Sequence, residues 1–244
     1  MSDQFYKNLA PVYHHVFPVE GKDRFLAACF SKGSRLLDVG CSDARVALAL
    51  SEMLEDVEIE AIDLSMDLLD VAQKVIQGKS HIHLREMNML HVHQHYGNLA
   101  FDGIYCIGNT LVHLEDTEQI SKCLEGFYLT LKSSGTLVIQ ILNYDKILDE
   151  HITTLPLIDN EWITFDRVYT PMGNLLTFGS TLTIKEGERR ELNASTPLYP
   201  IRKAPLIDIL SRIGFVDIKV YSSFKFDVYD VRMLPLILIA KKGE

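Results

Sequence analysis

The residues best placed to do chemistry lie where "SRLLDVGCSDARVALAL" (34–50) passes from an apolar stretch into an amphipathic one. Asp38, Gly40, Cys41, Ser42 and Asp43 crowd this turn, and Asp63 stands at the end of the next apolar stretch, "VEIEAID" (57–63). A strand-to-helix turn offers free amides at the helix N-terminus, which favour a carboxylate or phosphate, and Gly40 lets the backbone come close to a ligand. An acid at the position of Asp63 is spaced to hold ribose hydroxyls.

The same turn argues against a dinucleotide. The pattern G-x-G-x-x-G is absent, Ser42 and Ala44 put side chains where a pyrophosphate needs bare amides, and Asp43 repels phosphate. A cationic cofactor with an amino-acid tail fits better. Its ammonium is compatible with carboxylates, and its own carboxylate needs only one or two amides. That chemistry is S-adenosylmethionine; the competing reading is an ordinary strand–helix turn with an incidental Asp63. Cys41 reads as a small backbone-forming residue, since nothing nearby in sequence would lower its pKa.

Other candidates each carry two readings. Tyr13, in "LAPVYHHVF", is either part of a lid over the cofactor or an amphipathic packing residue. His113, shortly after Gly108, either orients or deprotonates a nucleophile or caps a helix, and Asn109 can orient substrate through its amide. Tyr144, Arg167 and Tyr169 are polar groups on the expected substrate side, with a surface ion pair as the alternative for Arg167. His91, His93 and His95 would share one face of a strand, as in a metal site. They sit instead in "HVHQHYGN", where a helix or surface loop is expected, with no carboxylate or cysteine between them; no metal is expected.

The elements that must position these groups alternate. Short apolar strands at 35–39, 57–63, 81–87, 101–108 and 136–142 are separated by stretches with helical spacing. A helix "APLIDILSRIGF" and two further strands, "VDIKVYS" and "LPLILIA" (234–240), close the chain. Continuously apolar strands between helices indicate an α/β fold with a parallel sheet covered on both faces. Residues 151–200 alternate apolar and polar and read as a small antiparallel β insertion after the fifth strand. Its second strand puts Leu176, Phe178, Ser180, Leu182 and Ile184 on one face, which must pack on something apolar. A single domain of 244 residues follows: an N-terminal helical lid (1–32), a core (33–150 and 201–244), and the insertion (151–200) as a roof over the substrate side.

The formal charge of −9, with no Lys/Arg run longer than two, disfavours nucleic acid as a partner. "LPLILIA" is too short to span a bilayer, so no membrane partner is expected. No leader is evident, and the scattered Cys29, Cys41, Cys106 and Cys123 suggest a reducing, cytoplasmic compartment. Nothing indicates the oligomeric state.

The order of signals resembles that of the class I S-adenosylmethionine-dependent methyltransferases over nearly the whole chain. "LLDVGCSDA" resembles their first motif, D-x-G-C-G-x-G, with Ser42 and Ala44 replacing two glycines. "AIDLS" resembles the second, "REMNML" the third, with Asn88 where an acid usually meets the adenine amino group, and "FDGIYCIGNTLVHL" the fourth. "GNTLVHL" (108–114) with "NYDKIL" (143–148) is similar to the glycine and sarcosine N-methyltransferases, although Leu142 replaces the arginine that in those enzymes grips the substrate carboxylate. The resemblance implies a Rossmann-like, doubly wound seven-stranded sheet whose last strand, "LPLILIA", lies antiparallel between "TLVIQIL" and "VDIKVYS". It places Tyr13, Asp38, Gly40, Cys41, Ser42, Asp43, Asp63, Leu64, Asn88, Met89 and Ile107 at S-adenosylmethionine, and Asn109 and His113 beside the reacting atoms. The implied activity is methyl transfer to a nitrogen or oxygen of a small molecule. A catalytically silent cofactor-binding protein is the alternative, and an NAD-dependent dehydrogenase a more distant one.

Overall fold

Consecutive residues of the central strands feed opposite layers. A computed structural model, which describes residues 9–187 and 189–243, forms β1 (Arg35–Val39), β2 (Glu58–Asp63), β3 (Ile82–Glu86), β4 (Phe101–Cys106) and β5 (Leu131–Leu142). An insertion follows, with β6 (Ile158–Asp159), β7 (Ile163–Met172), β8 (Leu175–Ile184) and β9 (Arg190–Leu198), before β10 (Phe215–Tyr221) and β11 (Pro235–Lys242). Leu37, Ile104, Leu137 and Leu238 join one apolar cluster, while their neighbours Leu36, Tyr105, Val138 and Ile237 join the other. The period of two along each strand turns an unbroken apolar run into two covered faces. Burying each such aliphatic side chain contributes roughly 1.5–3 kcal/mol.

One face is covered by the helices Lys22–Cys29, Arg45–Met53 and Met66–Val75, which supply Phe25, Leu26, Ala47, Leu50, Leu69 and Ala72. The helices Thr117–Thr130 and Lys203–Ile213 cover the other through Ile120, Leu124, Phe127, Leu206 and Ile209. Their ends are set by local chemistry. Ser65 accepts the Leu68 amide and Asp116 that of Gln119, and Gly214 at φ 114° stops Lys203–Ile213.

The seven-stranded sheet has the order β10-β11-β5-β4-β1-β2-β3. β1 to β5 pair in parallel, and β11 runs antiparallel between β5 and β10, with Pro235 opposite Leu142 and Leu238 opposite Ile139. This is the expected topology. The "KSSG" turn is different: β5 begins at Leu131, Phe101 pairs with Leu131, and Gly103 pairs next with Thr136. The extra residues form an irregularity within the strand, with Ser134 at φ 60°.

The insertion is a separate antiparallel sheet, β6-β7-β8-β9. The face read from sequence is inward: Leu176, Ser180, Leu182 and Ile184 are buried and Phe178 is half-buried. It covers two neighbours. Leu176 and Leu198 join the main core, whereas Ile163, Phe165, Leu182 and Ile184 pack on Leu9, Val12 and Val16. The expected lid over 1–32 therefore divides. Lys22–Cys29 belongs to the core layer, because Phe25 and Leu26 are fully buried against it, and Leu9–Phe17 lies on the insertion. The part of that lid before Leu9 falls outside the described residues.

Candidate functional site

Gly40, Ser42 and Ala44 all adopt left-handed backbone, at φ 76°, 53° and 56°. These are the three glycine positions of the motif D-x-G-C-G-x-G, and the loop keeps that path with only one glycine. A left-handed L-residue costs about 1–2 kcal/mol, so Ser42 and Ala44 are held there by their surroundings. The Gly40 and Cys41 amides both donate to the Ile62 carbonyl, and the Ser42 amide donates to Asp63 Oδ2 at 2.9 Å. Asp63 Oδ1 accepts the Ser65 amide at 2.9 Å, so this carboxylate ties the first loop to the start of the next helix. At Gly40 itself a Cβ would meet the Thr110 side chain at 2.5 Å.

The loop encloses negative charge. Asp38 is 2% exposed, and its Oδ2 is buried with no hydrogen-bond partner among the described residues. Burial pushes its carboxyl up to about 8, with Asp63 and Asp43 adding to the rise and the neighbouring Tyr105 hydroxyl opposing it. Burial likewise raises Asp63, against the pull of the amides it accepts. Asp43 turns away to Arg45, Oδ2 to Nε at 3.1 Å, and burial raises it too. A pyrophosphate would face Asp38 and Asp63 here, whereas Asp43, paired with Arg45, does not supply the repulsion expected of it; an ammonium would satisfy the orphaned oxygen of Asp38. Cys41 is buried and its thiol is raised well above the ordinary range by burial, so it is no nucleophile.

Beyond the ends of β2 and β3 lies an open hollow lined by Leu64, Glu86, Met87, Asn88, His91 and His95. Leu64, directly after Asp63, is 60% exposed and presents an apolar face to this hollow. Asn88 lines this hollow but also caps the turn Met89–His91, its Oδ1 accepting the Leu90 amide at 2.9 Å; one lone pair remains. Met89 and Ile107 are buried core residues behind the hollow and the loop, and Met87 takes the lining position given to Met89.

The histidine stretch is the helix Val92–Tyr96 with the turn before it, which puts His91 and His95 on the hollow while His93 meets Asn98 at 2.8 Å. Helical periodicity separates the three rings that a strand would align. No group of three metal-ligating side chains occurs among the described residues. His91, His95, Glu86 and Met87 were not singled out as lining residues; the i, i+4 spacing of the two histidines was the available signal.

At the end of β4, Asn109 stands in left-handed backbone at φ 68°. Its Oδ1 accepts the Leu142 amide at 2.9 Å and its Nδ2 donates to the Tyr144 hydroxyl at 3.1 Å. Asn109 therefore positions the end of β5 and Tyr144, with little capacity left for substrate. Tyr144 is fully buried, and the Tyr169 hydroxyl stands beside its own. The Tyr169 hydroxyl and Arg167 Nε are buried without a hydrogen-bond partner among the described residues. Arg167 Nη2 donates to the Pro156 carbonyl, and the guanidinium lies 5.3 Å from the Phe165 ring centroid. It forms no ion pair among the described residues, contrary to the surface-pair reading, and burial lowers its pKa. The structure thus brings Tyr144, Arg167 and Tyr169 together. His113 ends the short turn Thr110–His113 on the exposed rim without a hydrogen bond among the described residues, and partial loss of hydration lowers its pKa.

Tyr13 reaches the loop from the opposite side, where its hydroxyl accepts from Ser42 Oγ at 2.8 Å. Among the described residues no helix is long and apolar enough to cross a membrane.

Residues 36–135 match a family model described as a methyltransferase domain. A glycine/sarcosine N-methyltransferase of Aphanothece halophytica is 32% identical over 129 residues, which are 51% of this chain and 45% of that protein. The chain spans about half the length of the curated relative it matches there. Among solved structures, an S-adenosylmethionine-dependent methyltransferase from Clostridium acetobutylicum superposes with a TM-score of 0.80 at 14% identity, covering 98% of this chain and 99% of that one. A sugar N-methyltransferase from a Streptoalloteichus species gives 0.71 at 16% identity, covering 96% and 91%. Both likenesses are of fold.

Proposed function

We propose that this chain is a class I S-adenosylmethionine-dependent methyltransferase that methylates a nitrogen of a small molecule, a reading supported by the methyltransferase-domain match over residues 36–135 and by the fold. The observation that carries this reading is one continuous path of side chains along the rim. It runs from Gly40 in the cofactor loop through Thr110, which touches it, to Asn109, Tyr144, Tyr169 and Arg167. Cofactor loop and insertion therefore meet on the same edge, and the insertion ends in Arg167 Nε, buried without a partner among the described residues, and the Tyr169 hydroxyl, whose polar neighbour is the Tyr144 hydroxyl at a geometry short of a hydrogen bond. Buried donors without partners are rare in native chains and mark a place for an acceptor-bearing ligand.

The residues fit the cofactor. Asp38 Oδ2 is free for an ammonium, Asp63 stands where ribose hydroxyls would lie, and the exposed face of Leu64 offers an apolar wall to a base. When bound, S-adenosylmethionine supplies a methyl group already activated for displacement. The chain's share is alignment, exclusion of water and the fate of one proton. Tyr144 and Tyr169 hold the acceptor from the β5 side and Arg167 takes any anionic part of it. His113, its pKa lowered to about 4, is too weak a base to keep the proton; it lines the rim from which the proton leaves for solvent. Nitrogen is favoured over oxygen by the names of the N-methyltransferases the chain resembles. Leu142 in place of arginine argues that glycine itself is not the acceptor. A cytoplasmic location fits the four free cysteines.

The test is turnover of S-adenosylmethionine to S-adenosylhomocysteine against a panel of primary and secondary amines, amino acids, amino sugars and matched alcohols. Calorimetry with S-adenosylhomocysteine should show binding that Asp63→Ala weakens by about 1.5–3 kcal/mol, the range for hydrogen bonds to a charged group. Binding without turnover of any amine would leave a silent cofactor-binding protein; turnover of alcohols alone would move the acceptor to oxygen.

A further inference from the structure

Ser42 occupies a left-handed position that glycine fills at lower cost, and its side chain is the reason such a residue is useful there. Ser42 Oγ donates to the Tyr13 hydroxyl at 2.8 Å, while the Ser42 amide holds Asp63. Tyr13 belongs to a segment fastened along its length to the insertion. Leu9, Val12 and Val16 pack on Ile163, Phe165, Leu182 and Ile184. His15 stacks on Trp162 with ring centroids 4.8 Å apart and planes 14° apart, and Asn160 Nδ2 donates to the His15 carbonyl at 3.1 Å. Tyr13 and Phe17 also lie 4.9 Å apart, with Phe17 edge-on to Phe165 at 6.0 Å. The N-terminal segment and the insertion are thereby one packed unit, and it touches the cofactor loop through Ser42.

We infer that Ser42 is a positioning residue: its hydroxyl latches the N-terminal segment, and through it the insertion, to the cofactor loop, so that filling the loop tightens the roof over the acceptor. The inference rests on the reading of this loop as the S-adenosylmethionine site. A glycine in place of Ser42 would keep the loop's path and lose the latch. The energetic logic is coupling through a contiguous, packed element whose two ends touch two different ligands. The strain at Ser42 is offset by a contact made only across the two parts of the site.

Hydrogen exchange on the full chain tests this, comparing the unsubstituted protein with Ser42→Gly, Tyr13→Phe and the double variant, each with and without saturating S-adenosylhomocysteine. In the unsubstituted protein the ligand should slow exchange at 40–44 and also at 13–17 and 163–165. In Ser42→Gly the loop should still respond, while 13–17 and 163–165 should not. Without ligand, the same variant should exchange about fivefold faster at 13–17, the effect of losing one hydrogen bond, while exchange at 40–44 holds, because glycine keeps the left-handed path there without strain. Tyr13→Phe should give the same pattern at 13–17 and 163–165, and the double variant no more than either alone. A loss confined to 13–17 and 163–165, with 40–44 spared, cannot come from general destabilisation. Unchanged exchange at 13–17 in ligand-free Ser42→Gly, or an intact ligand response at 163–165, overturns the latch. If S-adenosylhomocysteine does not bind the unsubstituted protein, the functional reading fails instead, and the ligand-free arm still decides the latch.

Discussion

Asn109 donates to the Tyr144 hydroxyl at 3.1 Å and accepts the Leu142 amide at 2.9 Å, so one side chain fixes both the end of β5 and the tyrosine that follows it. By the resemblance of "NYDKIL", Leu142 stands where an arginine would be expected to grip substrate, and here its backbone amide is the group engaged. Asn109→Ala leaves the Leu142 amide and the Tyr144 hydroxyl short of a partner and should cost about 1–3 kcal/mol in urea unfolding. Tyr144→Phe removes the hydroxyl and should cost about 1 kcal/mol. Equal costs for the two would mean that Leu142 finds another acceptor.

The proposed place of Asp38 beside the cofactor's ammonium makes cofactor binding a proton-linked event. Unfolded, this carboxyl ionises at its ordinary 3.8; folded, burial raises it to about 8. Between those values the native chain holds a proton that the unfolded chain has released. Its contribution to stability is therefore greatest at low pH, declines as pH rises through this window, and levels off above about 8. Asp63 and Asp43 are raised as well and act in the same direction. A ligand cation beside Asp38 favours the ionised form, so binding at pH 7 should release a proton and strengthen as pH rises toward 8. Calorimetry in two buffers of different protonation enthalpy measures this, and Asp38→Asn should abolish the difference between buffers. A binding enthalpy independent of buffer in the unsubstituted protein would remove Asp38 from the ligand's surroundings.

Gly40 is the one glycine of the loop for which nothing else will serve. Its φ of 76° costs an L-residue about 1–2 kcal/mol. A methyl group there would also meet Thr110 Cγ2 and Oγ1 at 2.5 Å, and Thr110 is anchored by donating to the Ile107 carbonyl at 2.9 Å. Overpacking adds roughly 1–3 kcal/mol. Gly40→Ala should thus cost about 2–5 kcal/mol in chemical denaturation, the sum of those two ranges, with Thr110→Ser recovering part of it. Ala44→Gly should be close to neutral, because relief of left-handed strain is offset by a more mobile unfolded chain and the loss of a buried methyl.

What could be read from the residues, and what could not, follows from the range of the forces involved. The strands were legible because Leu36 and Leu37, or Ile237 and Leu238, need opposite faces covered, a requirement written locally in the chain. The placement of β11 was legible only through resemblance, since periodicity carries no direction. Asp63 was singled out by its spacing, but its two bonds to the Ser42 and Ser65 amides were not. The commitment of Asn109 to Leu142 and Tyr144 was not, because those partners lie far along the chain and meet only when β4 and β5 pair. The lining positions of Met87 and His95 were missed for a different reason, since the i, i+4 spacing of His91 and His95 carries that signal locally. The split of the N-terminal segment was invisible because both halves are amphipathic, and only the tertiary structure shows that Phe25 faces the core while Val12 faces the insertion.

Tyr169 offers the sharpest separation of binding from stability. Its ring is 3% exposed and packs in the main core, so the side chain is well placed as a hydrophobe. Its hydroxyl is buried without a hydrogen-bond partner among the described residues, and burial raises its pKa to about 12, so it stays a neutral donor throughout the physiological range. A chain selected for stability alone would place phenylalanine here, because an unsatisfied buried hydroxyl costs roughly 1–3 kcal/mol. Tyr169→Phe should therefore hold or raise the melting temperature while it lowers kcat/KM for the acceptor about tenfold, roughly 1.4 kcal/mol, and leaves S-adenosylhomocysteine affinity unmoved. Arg167→Met keeps most of the aliphatic stem over Phe165 and removes the charge, and should raise KM for an anionic acceptor with little change for a neutral one. The decisive measurement is the pair of effects in Tyr169→Phe. A loss of stability without any effect on transfer would show that the hydroxyl is satisfied within the fold, and the acceptor would then have to be sought on another part of the rim.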